Sequence, residues 1–317
     1  FSILNTAEFD KVVLSNSDKI EDMEPDWVAN EEHLCAVVGS SVVGSKLRSC
    51  ITGNSTTASM NWIDFHYYSQ QRGMQQIDAL MHSRIANLFY ARYGRRDSQE
   101  QCGGGQHTNN RITGGTAGYG MQDTIGYDGA YKINNKITNS LVDNNQIHQY
   151  AWYRGQDEYG SPTVTQVNNI SCLGYEDIYG HKYDMMDGVD LPNDSGNSGK
   201  WRIWMPDGSI RFVKGKTSSD QWITGVAHGK YMDMVPVGSA NGSSSTYYCD
   251  KYYISTAVSR VVFRGYYSAD AYGGVSCANA NNDASHSYSS IGSRLAFRGR
   301  IVKAESVEAY KALSEKA

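Results

Sequence analysis

The sequence predicts an α+β fold, with one or two helices followed by many short strands joined by long loops, on the strength of three observations. Between Met74 and Tyr93 the apolar residues Ile77, Leu80, Met81, Ile85, Leu88 and Phe89 recur at three- and four-residue steps, the spacing of one helical face. Two alternating runs, Lys200 to Trp204 and Ser209 to Lys214, flank Pro206-Asp207-Gly208, the signature of a β-hairpin. From Ser171 onward short strand signals dominate, near Gln221 to Val226, Tyr231 to Val237, Arg260 to Arg264 and Arg294 to Val302.

In chain order, Phe1 to about Ser59 mixes an acidic patch (Glu21, Asp22, Glu24, Asp26) with β-like runs such as Ala36-Val37-Val38 and Ser41-Val42-Val43. It reads as an N-terminal mounting segment, residues 1–60, ahead of a ligand-binding domain, 61–317. The chain begins at Phe1 without Met or a charged-then-apolar leader, as expected of a processed chain or of a piece of something longer. Asn61 to Tyr68 reads as a strand or a first short helix, and Gly94 sits where the cap of the Met74–Tyr93 helix belongs. The Gly-rich stretch between Cys102 and Tyr131 has no Lys-Ser/Thr after it and no strand–loop–helix around it, so it reads as a surface loop rather than a phosphate cradle.

Composition narrows the function. A net charge of -4 and 20 % charged residues leave no broad basic stripe for a nucleic acid. No apolar run approaches the roughly 20 residues of a membrane span. The six cysteines include no CxxC pair, which argues against a zinc ribbon or a thioredoxin-type site. Seven of the eight histidines, His66, His82, His107, His148, His181, His228 and His286, are isolated, no HExxH pattern occurs, and no Gly-x-Ser-x-Gly elbow occurs. No catalytic residue is therefore expected. The acidic run Asp184, Asp187, Asp190 and Asp194, near Asn193 and Asn197, could offer oxygen ligands to Ca²⁺, but its spacing is not that of an EF-hand and a solvated acidic loop is the plainer reading.

The residues that carry the functional expectation lie between two strand-like runs, Val261-Val262-Phe263-Arg264 and Ile291-Gly292-Ser293-Arg294-Leu295-Ala296-Phe297. Tyr266 to Ser290 is built from Tyr, Ser, Ala, Asn, Asp and Gly with single Val, Cys and His, and contains no Lys, Arg, Glu, Gln, Met, Trp or Pro. Solvated loops normally carry Lys and Glu, so their absence needs a cause. Asn codons with replaced adenines yield Tyr, Ser, Asp, His, Ala, Gly and Cys but never Lys, Glu, Gln, Met or Trp. The same palette serves antibody paratopes, where Tyr anchors and Ser, Gly and Asn adapt. The expected contact surface is Tyr266, Tyr267, Ser268, Asp270, Tyr272, Cys277, His286, Tyr288 and Ser290, framed by Arg264, Arg294, Leu295, Ala296 and Phe297.

Gly174-Tyr-Glu-Asp-Ile-Tyr-Gly180-His-Lys-Tyr-Asp-Met-Met-Asp187-Gly188-Val189, Arg260-Val-Val-Phe-Arg264-Gly265 and Gly292-Ser-Arg-Leu-Ala296 occur in the order of motifs found in the variable proteins of diversity-generating retroelements. The chain resembles that family from about residue 61 to 303. Ile85 to Gly105 also looks like phage and prophage proteins of gut Bacteroidales. The resemblance implies a C-type lectin fold of the formylglycine-generating-enzyme type and a receptor-binding protein at a phage tail tip, or alternatively on a bacterial surface. It further implies a host cell-surface protein or glycan as partner, other tail proteins as neighbours, and a homo-oligomer such as a trimer. It departs from the family's oxidase members, whose cysteine pair follows the entering strand, because Gly265 to Gly274 contains no cysteine. A formylglycine-generating-type oxidoreductase and a purely structural tail subunit are the alternatives.

Overall fold

The computed structural model describes residues 2–4, 32–36, 39–48, 57–71, 73–102, 131–133, 136–139, 149–156, 162–168, 171–172, 175–215, 221–238, 241–268 and 270–299. It is a mixed α+β structure built on a curled seven-strand sheet. The strand order is Ile210–Lys214, Lys200–Trp204, Tyr183–Leu191, Arg260–Arg264, Ala278–Ala280, Lys251–Ile254 and Gln221–Trp222. Ile291–Gly292 adds a short parallel pairing to the start of Tyr183–Leu191.

Alternation along these strands divides the side chains between two covered faces. Met186, Val189, Val262, Tyr252, Ile254, Ala278 and Ala280 join one apolar cluster. Their sequence neighbours Tyr183, Met185, Val261, Phe263, Tyr253 and Cys277 join another. The first cluster is closed by helix α2, Ala79–Tyr93, through Leu80, Met81, Ile85, Ala86 and Phe89. The second is closed by Phe65 of helix α1, Trp62–Gln70, together with Ala36, Leu47, Ile291 and Leu295.

Local chemistry fixes both helices. Asn61 caps α1, its side chain accepting the Asp64 N–H at 2.9 Å, which resolves the strand-or-helix alternative for this stretch. Helix α2 begins later than its apolar periodicity suggests, because Asp78 caps it by accepting the Met81 N–H at 2.7 Å while Gln75–Gln76 pairs as a strand with Leu295–Ala296. It ends where expected, at Gly94 in the left-handed conformation (φ 61°). The hairpin also forms as expected, with Lys200 opposite Lys214 and Trp204 opposite Ile210.

Described residues on the two sides of position 60 are hydrogen-bonded to one another. Glu32–Cys35 pairs with the C-terminal strand Leu295–Gly299, and Ala36 and Ser40 donate backbone hydrogen bonds to Leu295 and Ser293. Cys35 and Leu47 are fully buried, so this part of the N-terminal segment belongs to the core. The Gly-rich stretch after Cys102, the acidic patch at 21–26, His107, His148 and residues 300–302 of the expected last strand lie outside the described residues. Among the described residues no helix is long and apolar enough to cross a membrane.

One buried ion pair ties these parts together. Arg294 Nε donates to Asp184 Oδ2 at 2.6 Å, Nη2 donates to the Asp177 carbonyl at 2.5 Å, and Nη1 reaches the Ala36 carbonyl at 3.5 Å. Burial pushes the Asp184 carboxyl above its ordinary value, and the Arg294 charge opposes that shift. Replacing one member of a buried pair strands its partner in a low-dielectric interior. Arg294→Met should therefore cost about 3–5 kcal/mol in urea unfolding; a loss below about 1 kcal/mol would show that the pair is not structural.

Candidate functional site

Tyr266 to Ser290 does not form one continuous loop. Its described residues make two solvent-facing arcs, 267–272 apart from residue 269 and 281–290, separated by a buried crossing that contains the strand Ala278–Ala280. The crossing is lodged between Arg260–Arg264, to which it is antiparallel, and Lys251–Ile254, to which it is parallel. Its polar backbone is met from below: Asp250 Oδ2 accepts the Ser276 N–H at 2.8 Å and Ser98 Oγ accepts the Val275 N–H at 3.0 Å. Gly274 is required at the entry, since a Cβ there would lie 2.2 Å from Ser98 Oγ and 2.5 Å from Asp250 Oδ1.

This path buries two of the expected contact residues, Cys277 and Tyr266. Cys277 is fully buried because strand alternation turns it into the second apolar cluster, beside Phe263 and Tyr266. Burial raises its thiol pKa well above the ordinary value, with the Asp250 carboxylate adding to the effect. Tyr266 is only 6 % exposed. It follows Gly265 (φ 81°) and itself has φ 52°, and the two left-handed residues fold its ring back under the chain. There it packs edge-on to Tyr183 at 5.5 Å and stacks with Tyr253 at 6.1 Å. Gly273 leaves the room, since a Cβ at that position would meet the Tyr266 Cβ at 2.0 Å.

The other seven expected residues reach solvent, wholly or in part. In the first arc Tyr267 and Ser268 are half-buried, while Asp270 and Tyr272 are exposed. Tyr267 lies against Tyr266 at 4.9 Å, and Ser268 Oγ donates to Asp270 Oδ2 at 2.8 Å. Tyr272 is held between Trp222, 5.8 Å away edge-on, and the Lys251 ammonium, 3.9 Å above its ring. Sequence reasoning did not include Trp222 or Lys251, which flank this arc. In the second arc the His286 and Tyr288 rings stack at 5.0 Å with Tyr288 61 % exposed, while Ser290 is half-buried.

The second arc is pinned along its length. Its carbonyls accept hydrogen bonds from Val261 N (Asn282 O), Trp62 N (Ala284 O), Ser59 N (Tyr288 O), Lys182 Nζ (Ser289 O) and Tyr183 N (Ser290 O). Asp283 Oδ1 accepts from both the N–H and the hydroxyl of Ser285, an arrangement that holds its carboxyl below the ordinary value. Tyr183 joins the two arcs, taking Ser290 on its backbone and Tyr266 and Tyr267 on its ring.

The frame residues Arg264, Arg294, Leu295 and Ala296 are buried and Phe297 is half-buried, as a scaffold requires. Tyr183 and Met185 are core residues. The acidic run is dispersed among separate partners. Asp184 meets Arg294, Asp187 Oδ2 meets His66 Nδ1 at 3.0 Å, Asp190 Oδ1 accepts from Arg202 Nε at 2.8 Å, and Asp194 is exposed 3.8 Å from Arg202. Among the described residues no group of three or more His, Cys, Asp or Glu is placed to hold a metal ion. No family model matches the chain, and no curated protein matches it.

The geometry separates packing from display. Tyr266→Ala should destabilise the protein by about 3–5 kcal/mol, the usual cost of truncating a buried aromatic residue. Tyr272→Ala and Tyr288→Ala should each stay within about 0.5 kcal/mol. Equal losses in urea titrations of all three would contradict this division. Native-state alkylation followed by peptide mapping should leave Cys277 unmodified until the protein is denatured.

Proposed function

We propose that the chain is a non-enzymatic binding protein whose ligand is met by the two arcs, residues 267–272 and 281–290. On this reading it is a variable protein of a diversity-generating retroelement with a C-type lectin fold of the formylglycine-generating-enzyme type. It acts as a receptor-binding component at a phage tail tip, attached to other tail proteins and assembled as a homo-oligomer, and contacts a protein or glycan of a bacterial host.

The observation that carries the proposal is the coincidence of palette and placement. Residues of the Tyr/Ser/Asn/Asp/His set project from arcs whose backbone is fixed by the sheet beneath. Rigid presentation lowers the ordering cost of binding, and Tyr supplies contact area with few rotatable bonds. The oxidoreductase alternative needs an activated thiol, whereas Cys277 is sealed in the core with its thiolate strongly disfavoured.

Sequencing this gene from sister isolates tests the reading directly. Substitutions should concentrate at codons of the two arcs, while Gly265, Gly273, Gly274 and the strand Ala278–Ala280 stay fixed. Changes spread evenly along the chain would refute exchange as the function of the surface. In parallel, the triple replacement of Tyr267, Tyr272 and Tyr288 by Ala should weaken adhesion to host cells at least about tenfold, equivalent to roughly 1.4 kcal/mol. Its melting temperature should stay nearly unchanged.

A further inference from the structure

A cavity of about 490 Å³ opens beside the second arc and includes Ala284 of that arc in its lining. It falls within the ~300–1,000 Å³ of small-ligand sites. Two indoles line it. Trp62 is fixed by its N–H to the Met186 carbonyl at 3.0 Å and backed on one face by His66 at 4.7 Å. Trp204 is 41 % exposed and backed by the Arg202 guanidinium at 4.8 Å.

Three carboxylates, Asp78, Asp187 and Asp190, line the same cavity. Each is oriented by partners within the protein. Asp78 accepts from Met81 N and from Gln75 Nε2, both at 2.7 Å; Asp187 accepts from Gly188 N at 2.9 Å and meets His66; Asp190 is held by Arg202. An ionised carboxylate has about four acceptor sites, so each retains capacity for a ligand hydroxyl after these bonds are made. On the donor side, Arg260 lines the cavity and has a buried Nε without a hydrogen-bond partner.

The chemistry selects among ligand classes. The lining offers carboxylate acceptors and arginine donors together, so the occupant must both donate and accept hydrogen bonds. Asp187 already meets His66, Asp190 meets Arg202 and Asp78 lies 3.6 Å from Arg298 Nη1, while Arg260 lines the same cavity, so each carboxylate has a basic partner and a cationic ligand is not favoured. Indole faces favour a ring with an apolar C–H side. A pyranose meets all three conditions: hydroxyls at its edge, C–H bonds on its face and no charge.

We infer that this cavity is a saccharide-binding site, fixed in sequence and adjoining the exchangeable arc. Its residues lie outside the arcs except for Ala284, whose carbonyl accepts the Trp62 backbone N–H at 3.2 Å. The inference does not rest on the function proposed above, and the two can fail separately.

Saturation-transfer NMR on the full chain tests it, with the methyl glycosides of glucose, galactose, mannose, fucose and N-acetylglucosamine as probes and spermidine as a cationic control. At least one glycoside should receive saturation from the protein. Trp204→Ala and Asp187→Asn should each reduce that signal about tenfold or more, while Tyr272→Ala and Tyr288→Ala leave it intact. Trp204 is a surface residue and Asp187→Asn keeps the side-chain shape, so thermal melts should verify folding in both. The inference is overturned if no glycoside binds, if spermidine alone binds, if the signal survives both cavity variants, or if it disappears only in the tyrosine variants.

Discussion

The Arg294–Asp184 ion pair sits where separate stretches of chain converge, and the rest of the architecture depends on that junction. The guanidinium joins Asp184 on the central strand, the Asp177 carbonyl in the preceding turn and the Ala36 carbonyl near the N-terminus. Its own backbone carbonyl accepts the Ile77 N–H at 2.8 Å, which aligns the segment leading into α2. Taking two charges out of water is expensive, and the cost is offset here only because the guanidinium makes several hydrogen bonds at once. Arg does this better than Lys, since its donors are planar and fixed in direction. Asp184 is also paired with Arg264, where the strand entering the two-arc segment ends, so that strand and the one leaving the segment meet at one fixed point.

Much of this was legible in the sequence. The α2 periodicity, its Gly94 cap and the Pro206-Asp207-Gly208 hairpin are local signals, and local signals survive folding when nothing nearby competes. The start of α2 was not legible, because Asp78 serves as a cap only once Gln75–Gln76 has been drawn into a sheet with the distant Leu295–Ala296. The membership of Glu32–Cys35 in that same sheet was hidden for the same reason.

The candidate site was half legible. Its palette identified the region, but composition alone could not separate Tyr272, gripped at the surface by Trp222 and Lys251, from Tyr266, folded beneath it. The strand Ala278–Ala280 escaped notice because Val275-Ser-Cys-Ala-Asn-Ala280 lacks the branched and aromatic side chains that usually mark a strand. Small residues suit a central strand with both faces covered, where α2 and the Tyr183–Tyr253–Phe263 cluster approach closely. Two successive left-handed residues, of which only Gly265 announces itself in the sequence, decide which tyrosine turns inward.

The second arc is held almost wholly by carbonyl oxygens, and every amino acid supplies one. Such anchorage is indifferent to which side chain each position bears and acutely sensitive to how many positions there are. Point changes leave the hooks in register, whereas inserting or deleting a single residue would shift the carbonyls after it away from Trp62, Ser59, Lys182 and Tyr183. Under the proposed function, diversity would be confined to spelling at constant length, and a lineage seeking a longer reach would have to grow it elsewhere.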